Sequence, residues 1–212
     1  DIFQHLKNFC IRKINSGDET YVAELFNLYK EILQNKQLVR SGIINQWEYK
    51  NITAIGLRLA EFQFIKSFIK KYNKLLPTEQ QSNALCFNEA LCHFHERKYH
   101  QCIKKLSAVA MSDLFYALDV RSLQLRSYYL LDEDDMFYYH ADAFKAFLNR
   151  HKKMSLHQKS NYKNFIKIMV HLRKAGHHHA TLIPLRNQIE SSVALPNKRW
   201  LLETIDEVLQ IN

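Results

Sequence analysis

The sequence predicts an all-α fold, an α-α superhelix of about eleven antiparallel helices, and three observations lead there. Only four Gly and three Pro occur in 212 residues, whereas sheets and tight hairpins need such punctuation and helices are broken by it. Apolar residues make up 47% of the chain and recur at three- and four-residue steps, the period of a helix with one buried face. The breaks between these runs are short and polar, so successive helices must fold back on one another.

Taken in order, Ile2, Phe3, Leu6, Phe9, Cys10 and Ile14 mark the first helix. Asp18 is placed to cap a second that runs through Val22, Leu25, Phe26, Tyr29, Ile32 and Leu33. Trp47–Leu59 and Phe62–Leu76 are two further runs, the latter ended by Pro77. Thr78, with Gln81 three residues on, has the form of a capping box for a helix carrying Leu85, Leu91, Cys92 and Phe94. Runs follow at about 99–110, 114–131, 135–150 and 156–174. Beyond Gly176, Thr181 is expected to cap a short helix with Pro184 in its tolerated first turn. Asn197 is expected to cap a last amphipathic helix bearing Trp200, Leu201, Ile205, Val208 and Leu209. No stretch is long or Gly/Ser-rich enough to mark a domain boundary, so residues 1–212 read as one helical-repeat domain.

Charged residues recur too often for any membrane span of about 20 apolar residues. The chain opens DIFQHLKNFC, without an initiator Met or a signal pattern, which leads us to expect a piece of a longer protein. Cys10, Cys86, Cys92 and Cys102 match no zinc or CxxC spacing and read as small buried thiols, which points to the cytoplasm. The formal charge of +9 is unevenly spread. From Ala143 to Ile189 there is no Asp or Glu but there are ten Lys and Arg, which leaves 20 basic residues against all 21 acidic ones elsewhere.

Three segments share a spacing: LRLAEFQFIKSFIKKYNKLLP (57–77), CHFHERKYHQCIKKLSAV (92–109) and SYYLLDEDDMFYYHADAF (127–144). Aligning Phe62, Tyr99 and Asp134 gives steps of 37 and 35 residues, near the 34-residue tetratricopeptide period. The chain resembles that family in a degenerate, TPR-like form over about residues 47–150, with helical flanks at 1–46 and 151–212. With Tyr99 as the aromatic opening a second helix, Ala90 and Cys102 fall on the family's small positions, and Ile103 and Leu106 continue the apolar face. Phe62 takes the aromatic place one repeat earlier and Pro77 the terminal proline. The pattern departs at Glu89, Leu125 and Asp134. More loosely, the chain resembles uncharacterised helical-repeat proteins of Bacteroidetes-type bacteria.

The resemblance implies a curved stack whose groove is lined by the first helix of each repeat. Of the positions carried over, Lys50, Arg58 and Arg126 are suited to carboxylates and Phe87, Phe94 and Tyr129 to apolar side chains, with His95 a further groove position. Phe87 and Phe94 at helical spacing also suit plain core packing. Lys50 and Asn88 match two positions of the family's carboxylate clamp, but Ala54, Asp119 and Leu123 cannot donate at the other three.

The basic segment 145–174 offers a second surface, with Lys152, Lys153, Lys159, Lys163, Lys167 and Lys174 beside His151, His157 and His171. Phe144, Phe147, Leu156, Phe165, Ile166, Met169 and Leu172 interleave at helical steps and read as the buried face of the same helices. No nucleic-acid motif accompanies the lysines. His177, His178 and His179 adjoin a helix break and would point apart, so neither a metal nor another cofactor is expected. The acidic run Asp132–Asp135 reads as capping at a helix junction. No phosphate loop, GxSxG, HExxH or dinucleotide fingerprint occurs. The expectation is therefore a non-enzymatic scaffold that binds another protein or peptide, or an N-terminal portion of its own. Nucleic acid or another anionic surface at 145–174 is the alternative.

Overall fold

The computed structural model describes residues 2–15, 18–35, 43–111 and 114–210. Eleven α-helices lie among them, with no extended strand. They are α1 (Ile2–Asn15), α2 (Thr20–Gln34), α3 (Gln46–Arg58), α4 (Phe62–Tyr72), α5 (Thr78–His95), α6 (Tyr99–Leu106), α7 (Leu114–Leu130), α8 (Asp134–Arg150), α9 (Leu156–Ala175), α10 (His179–Ser191) and α11 (Lys198–Gln210). A 3-10 turn, Asn73–Leu75, extends α4. The fold is thus an all-α helical repeat, with helices of 8 to 20 residues. No described helix is long and apolar enough to cross a membrane. The chain forms two compact units, Asp1–Ser127 and Tyr128–Asn212.

The turns carry the repeat. Ala60, Arg97 and Asp132 each adopt left-handed backbone, with φ of 58°, 60° and 62°. Each is the middle residue of a three-residue connection. In each, the next amide donates to a carbonyl five residues back: Glu61 to Gly56 at 3.0 Å, Lys98 to His93 at 2.8 Å and Glu133 to Tyr128 at 3.3 Å. This is the Schellman closure, which satisfies helix-end carbonyls and reverses the chain at once. Phe62, Tyr99 and Asp134 consequently become the first residues of α4, α6 and α8. The 37- and 35-residue steps seen in the sequence are the distances between these turns.

In the first unit, α1 packs on α2, α3 on α4 and α5 on α6, while α3 also lies against α2 and α5. The core holds Phe26, Tyr29, Ile44, Tyr49, Ile52, Ile65, Phe68 and Ile69. Gly56 marks the closest approach. A Cβ there would lie 2.3 Å from Ile65 Cδ1 and 2.9 Å from the Phe26 ring. Two polar links cross this core. The Tyr49 hydroxyl donates to the Ile69 carbonyl at 2.9 Å. Glu48 accepts from Lys7 and, at 3.1 Å, from the Tyr29 hydroxyl, tying α1, α2 and α3 together. Burial, then the neighbouring Glu48 charge, drives the Tyr29 pKa upward, so it stays a donor. In the second unit, α8 packs on α9, α9 on α10 and α10 on α11 around Phe137, Phe144, Phe165, Met169, Leu182 and Leu201.

Several helix boundaries differ from the sequence expectation. Thr78 is the first residue of α5 and caps nothing; Gln81 instead donates from Nε2 to the Leu76 carbonyl at 2.9 Å. Pro77, with no amide hydrogen, already occupies the capping position. α10 begins at His179, two residues before Thr181, so Pro184 sits in its second turn. That is tolerated because the helix is short and Pro184 is exposed. The Asp18 carboxylate accepts from the Thr20 hydroxyl at 2.6 Å and its amide at 3.3 Å. Asn197 precedes α11 with φ of 55°, and its carbonyl, not its side chain, accepts from Leu201 at 3.0 Å.

Two outcomes follow from this packing. Gly56→Ala gains about 1 kcal/mol of helix propensity but overpacks Ile65 and Phe26 at about 1–3 kcal/mol. Urea titration should therefore show net destabilisation, relieved by adding Ile65→Val. At the α5–α6 turn, Glu96 accepts from Lys66 and, at 2.9 Å, from Lys98, which holds its carboxyl below the ordinary 4.5. Because the folded pKa is the lower one, this contribution is present near neutrality and is lost as pH falls through the acid range. A pH series of urea midpoints should accordingly fall less steeply on acidification for Glu96→Gln than for the parent.

Candidate functional site

The residues proposed to line a groove separate into distinct places. Lys50 on α3 pairs with Asp119 on α7, and its ammonium sits 5.3 Å from the Trp47 ring centroid and 5.8 Å from that of Phe87 on α5. Trp47 stacks on Tyr116 at 6.1 Å, and Phe87 meets Tyr116 edge-on at 5.4 Å. The helical spacing therefore does bring α3, α5 and α7 to one face. What it builds there is a cluster satisfied by its own members, with Phe87 only 2% exposed. Asn88 is fully buried, its Nδ2 donating to the Ala84 carbonyl at 2.7 Å. With Lys50 neutralised and Asn88 turned inward, the two clamp-like residues have no geometry for gripping a carboxylate.

Phe94, also buried, carries the Arg126 guanidinium 4.7 Å from its ring centroid and meets Tyr99 edge-on at 5.5 Å. Burial lowers the pKa of that guanidinium. His95 is exposed at the end of α5. Arg58 turns toward α2, where Glu19 takes its guanidinium. There, with Ala54, Ile11, Ile14 and Tyr29, it borders a cleft of about 280 Å³ between α1, α2 and α3.

Tyr129 belongs to the second unit. Its ring meets Trp200 edge-on at 6.1 Å, with the Arg173 guanidinium 6.0 Å from its centroid. Arg173 is clamped by Asp134 and, at 2.5 Å, by Asp132. The acidic run thus does more than favour a helix start: two of its carboxylates hold this arginine against α8.

The basic segment is the more open surface. Three of the ten cations between Ala143 and Ile189 are neutralised: Lys145 by Asp142 at 3.0 Å, Arg173 as above, and Arg186 by Asp206 at 2.6 Å and Glu190 at 2.9 Å. Lys152, Lys153, Lys163, Lys167 and Lys174 are exposed and Lys159 half-exposed, none with a carboxylate partner among the described residues. On α9, Lys159, Lys163, Lys167, His171 and Lys174 fall within an arc of about 120°, on a helix that advances about 100° per residue. The buried side of the same helix is Phe165, Ile166, Met169 and Leu172, as the interleaving predicted, joined by Ile168; Leu156, expected on that side, instead opens the helix 85% exposed, and Phe147 on α8 is only half-buried.

Where this row ends, α9 and α10 diverge around a cleft of about 410 Å³. His171, Lys174, His178, Thr181 and Gln188 line it together with the apolar Ala175, Pro184 and Leu185, of which Ala175 and Leu185 are buried. The α10 side of the cleft escaped sequence reading because no charge or motif marks it. The row itself was legible as four-residue steps free of apolar residues. Among the described residues no group of three or more His, Cys, Asp or Glu is arranged to hold a metal ion.

Burial disfavours the thiolate at Cys92 and Cys102. The Cys92 pKa is pushed up to about 12 and that of Cys102 to about 11, chiefly by desolvation. Lys159/Lys163 and Lys163/Lys167 are like-charged pairs one turn apart, each costing about 0.2–0.5 kcal/mol of helix stability. Lys163→Glu should therefore stabilise the chain by about 0.5–1 kcal/mol at low ionic strength, and the gain should vanish near about 1 M salt in matched urea titrations. Compared with known proteins, the chain matches no family model, no curated protein and no solved structure.

Proposed function

We propose that the chain is a non-enzymatic helical-repeat scaffold, a degenerate TPR-like array, whose ligand is another polypeptide. The observation that carries this reading is the left-handed turn recurring at Ala60, Arg97 and Asp132. In the first unit it joins the packed pairs α3 with α4 and α5 with α6, and such pairs present extended faces that suit protein contacts better than small substrates. The buried, hard-to-ionise thiols support a binding role over nucleophilic catalysis. Four unpaired cysteines support a reducing, cytoplasmic setting. The test is capture on the immobilised full chain from native lysate, with and without treatment by DNase and RNase. A protein retained in stoichiometric amount supports the reading; retention of nucleic acid alone, lost on nuclease treatment, overturns it.

A second reading, binding of nucleic acid or another anionic surface through 145–174, is favoured by the unpaired lysines there. It requires affinity for DNA or RNA that falls steeply with salt as counterions are released. Lys152→Glu, Lys153→Glu and Lys159→Glu together should then abolish most of that affinity in filter binding. Unchanged binding removes the strip from consideration.

A further inference from the structure

We infer that the α9 lysine row and the α9–α10 cleft form one docking surface for an acidic polypeptide segment carrying an apolar anchor side chain. The inference rests on the polypeptide-binding reading and names the chemistry of the partner.

Two features lie end to end. The row from Lys159 to Lys174 spans about 22 Å at the helical rise of about 1.5 Å per residue, which matches roughly seven residues of extended chain. Its like-charged neighbours weaken α9, with no carboxylate among the described residues placed to offset them. A run of Asp and Glu on a partner supplies that counter-charge. At the end of the row the cleft changes character: the apolar Ala175, Pro184 and Leu185 line it beside Lys174 and His178, with Ala175 and Leu185 buried. Its volume of about 410 Å³ accommodates a leucine or phenylalanine side chain. Charge along the row sets approach and register, and the apolar anchor supplies the burial that holds the complex.

Nucleic acid uses only half of this surface. Its phosphates match the lysines, but single strands are held by stacking on aromatic rings. No Phe, Tyr or Trp is exposed on α9: Tyr162 is half-buried with its ring tilted on Phe144 at 5.8 Å, and Phe165 is fully buried. The apolar side chains of the cleft likewise offer a phosphate backbone nothing.

The experiment uses the full chain and a fluorescein-labelled peptide of about twelve residues, rich in Asp and Glu with one Leu near an end. A peptide with Ser in place of that Leu and a single-stranded oligothymidylate of similar charge serve as comparisons. By fluorescence anisotropy the Leu peptide should bind about tenfold more tightly than the Ser peptide. Lys163→Glu, Lys167→Glu and Lys174→Glu together should weaken it by about tenfold or more at low salt. Thr181→Trp, an exposed change that fills the cleft, should erase the Leu preference while leaving the salt dependence intact. All these positions are exposed, and circular dichroism of each variant is the check on its folding. Equal affinity for the Leu and Ser peptides, indifference to charge reversal, or displacement of the peptide by the oligonucleotide at equal charge overturns the inference. If the triple variant still captures the same lysate protein as the parent, the scaffold reading stands and this surface is not its site. If the oligonucleotide wins and nuclease treatment empties the capture resin, both readings fall.

Discussion

The architecture depends on how each first helix is stopped. Ala60, Arg97 and Asp132 all take left-handed backbone that only glycine adopts freely, and each does so two residues past the last residue of a helix. The steric cost, about 1–2 kcal/mol per turn, is met by two carbonyls closed within the turn and by the apolar faces the reversal brings together. With the turn three residues long, α4 packs back on α3 and α6 on α5 in the first unit, and each returning helix opens at the residue after the turn. Phe62 and Tyr99 use that position to place an aromatic ring at the start of the returning helix, whereas Asp134 uses it to reach Arg173.

Much of this was legible before any coordinates. The scarcity of Gly and Pro, the three- and four-residue apolar steps and the alignment of Phe62, Tyr99 and Asp134 led to the helix count and to the starts of α4, α6 and α8. These signals are local, set by propensity and burial period. The caps were less legible, since Thr78, Thr181 and Asn197 have suitable side chains yet the backbone solved the problem another way. A Pro or a left-handed residue at the junction decides which group is left to cap, and sequence type alone does not reveal that choice.

The candidate surfaces divide on the same ground. Lys50, Phe87, Phe94 and Arg126 could be assigned to first helices from spacing. Their partners could not, because Asp119 and Tyr116 lie some seventy residues from Lys50 and Trp47, and the aromatic that carries Arg126, Phe94, is on a different helix. A residue's availability is a property of what faces it across the fold. The α9 lysines were easier because unmatched charge over a carboxylate-free segment is visible without knowing the neighbours. The cleft beside them appears only once α10 is in place.

The Lys50–Asp119 bridge has a mechanical consequence. Helical-repeat stacks can flex like springs when successive layers touch only their neighbours. In the first unit, α3 and α7 are tied directly over the Phe87 ring of α5, so this side has a strut across three layers. Bending that separates α3 from α7 must break an ion pair and unstack Trp47 from Tyr116, so the unit resists opening on this side.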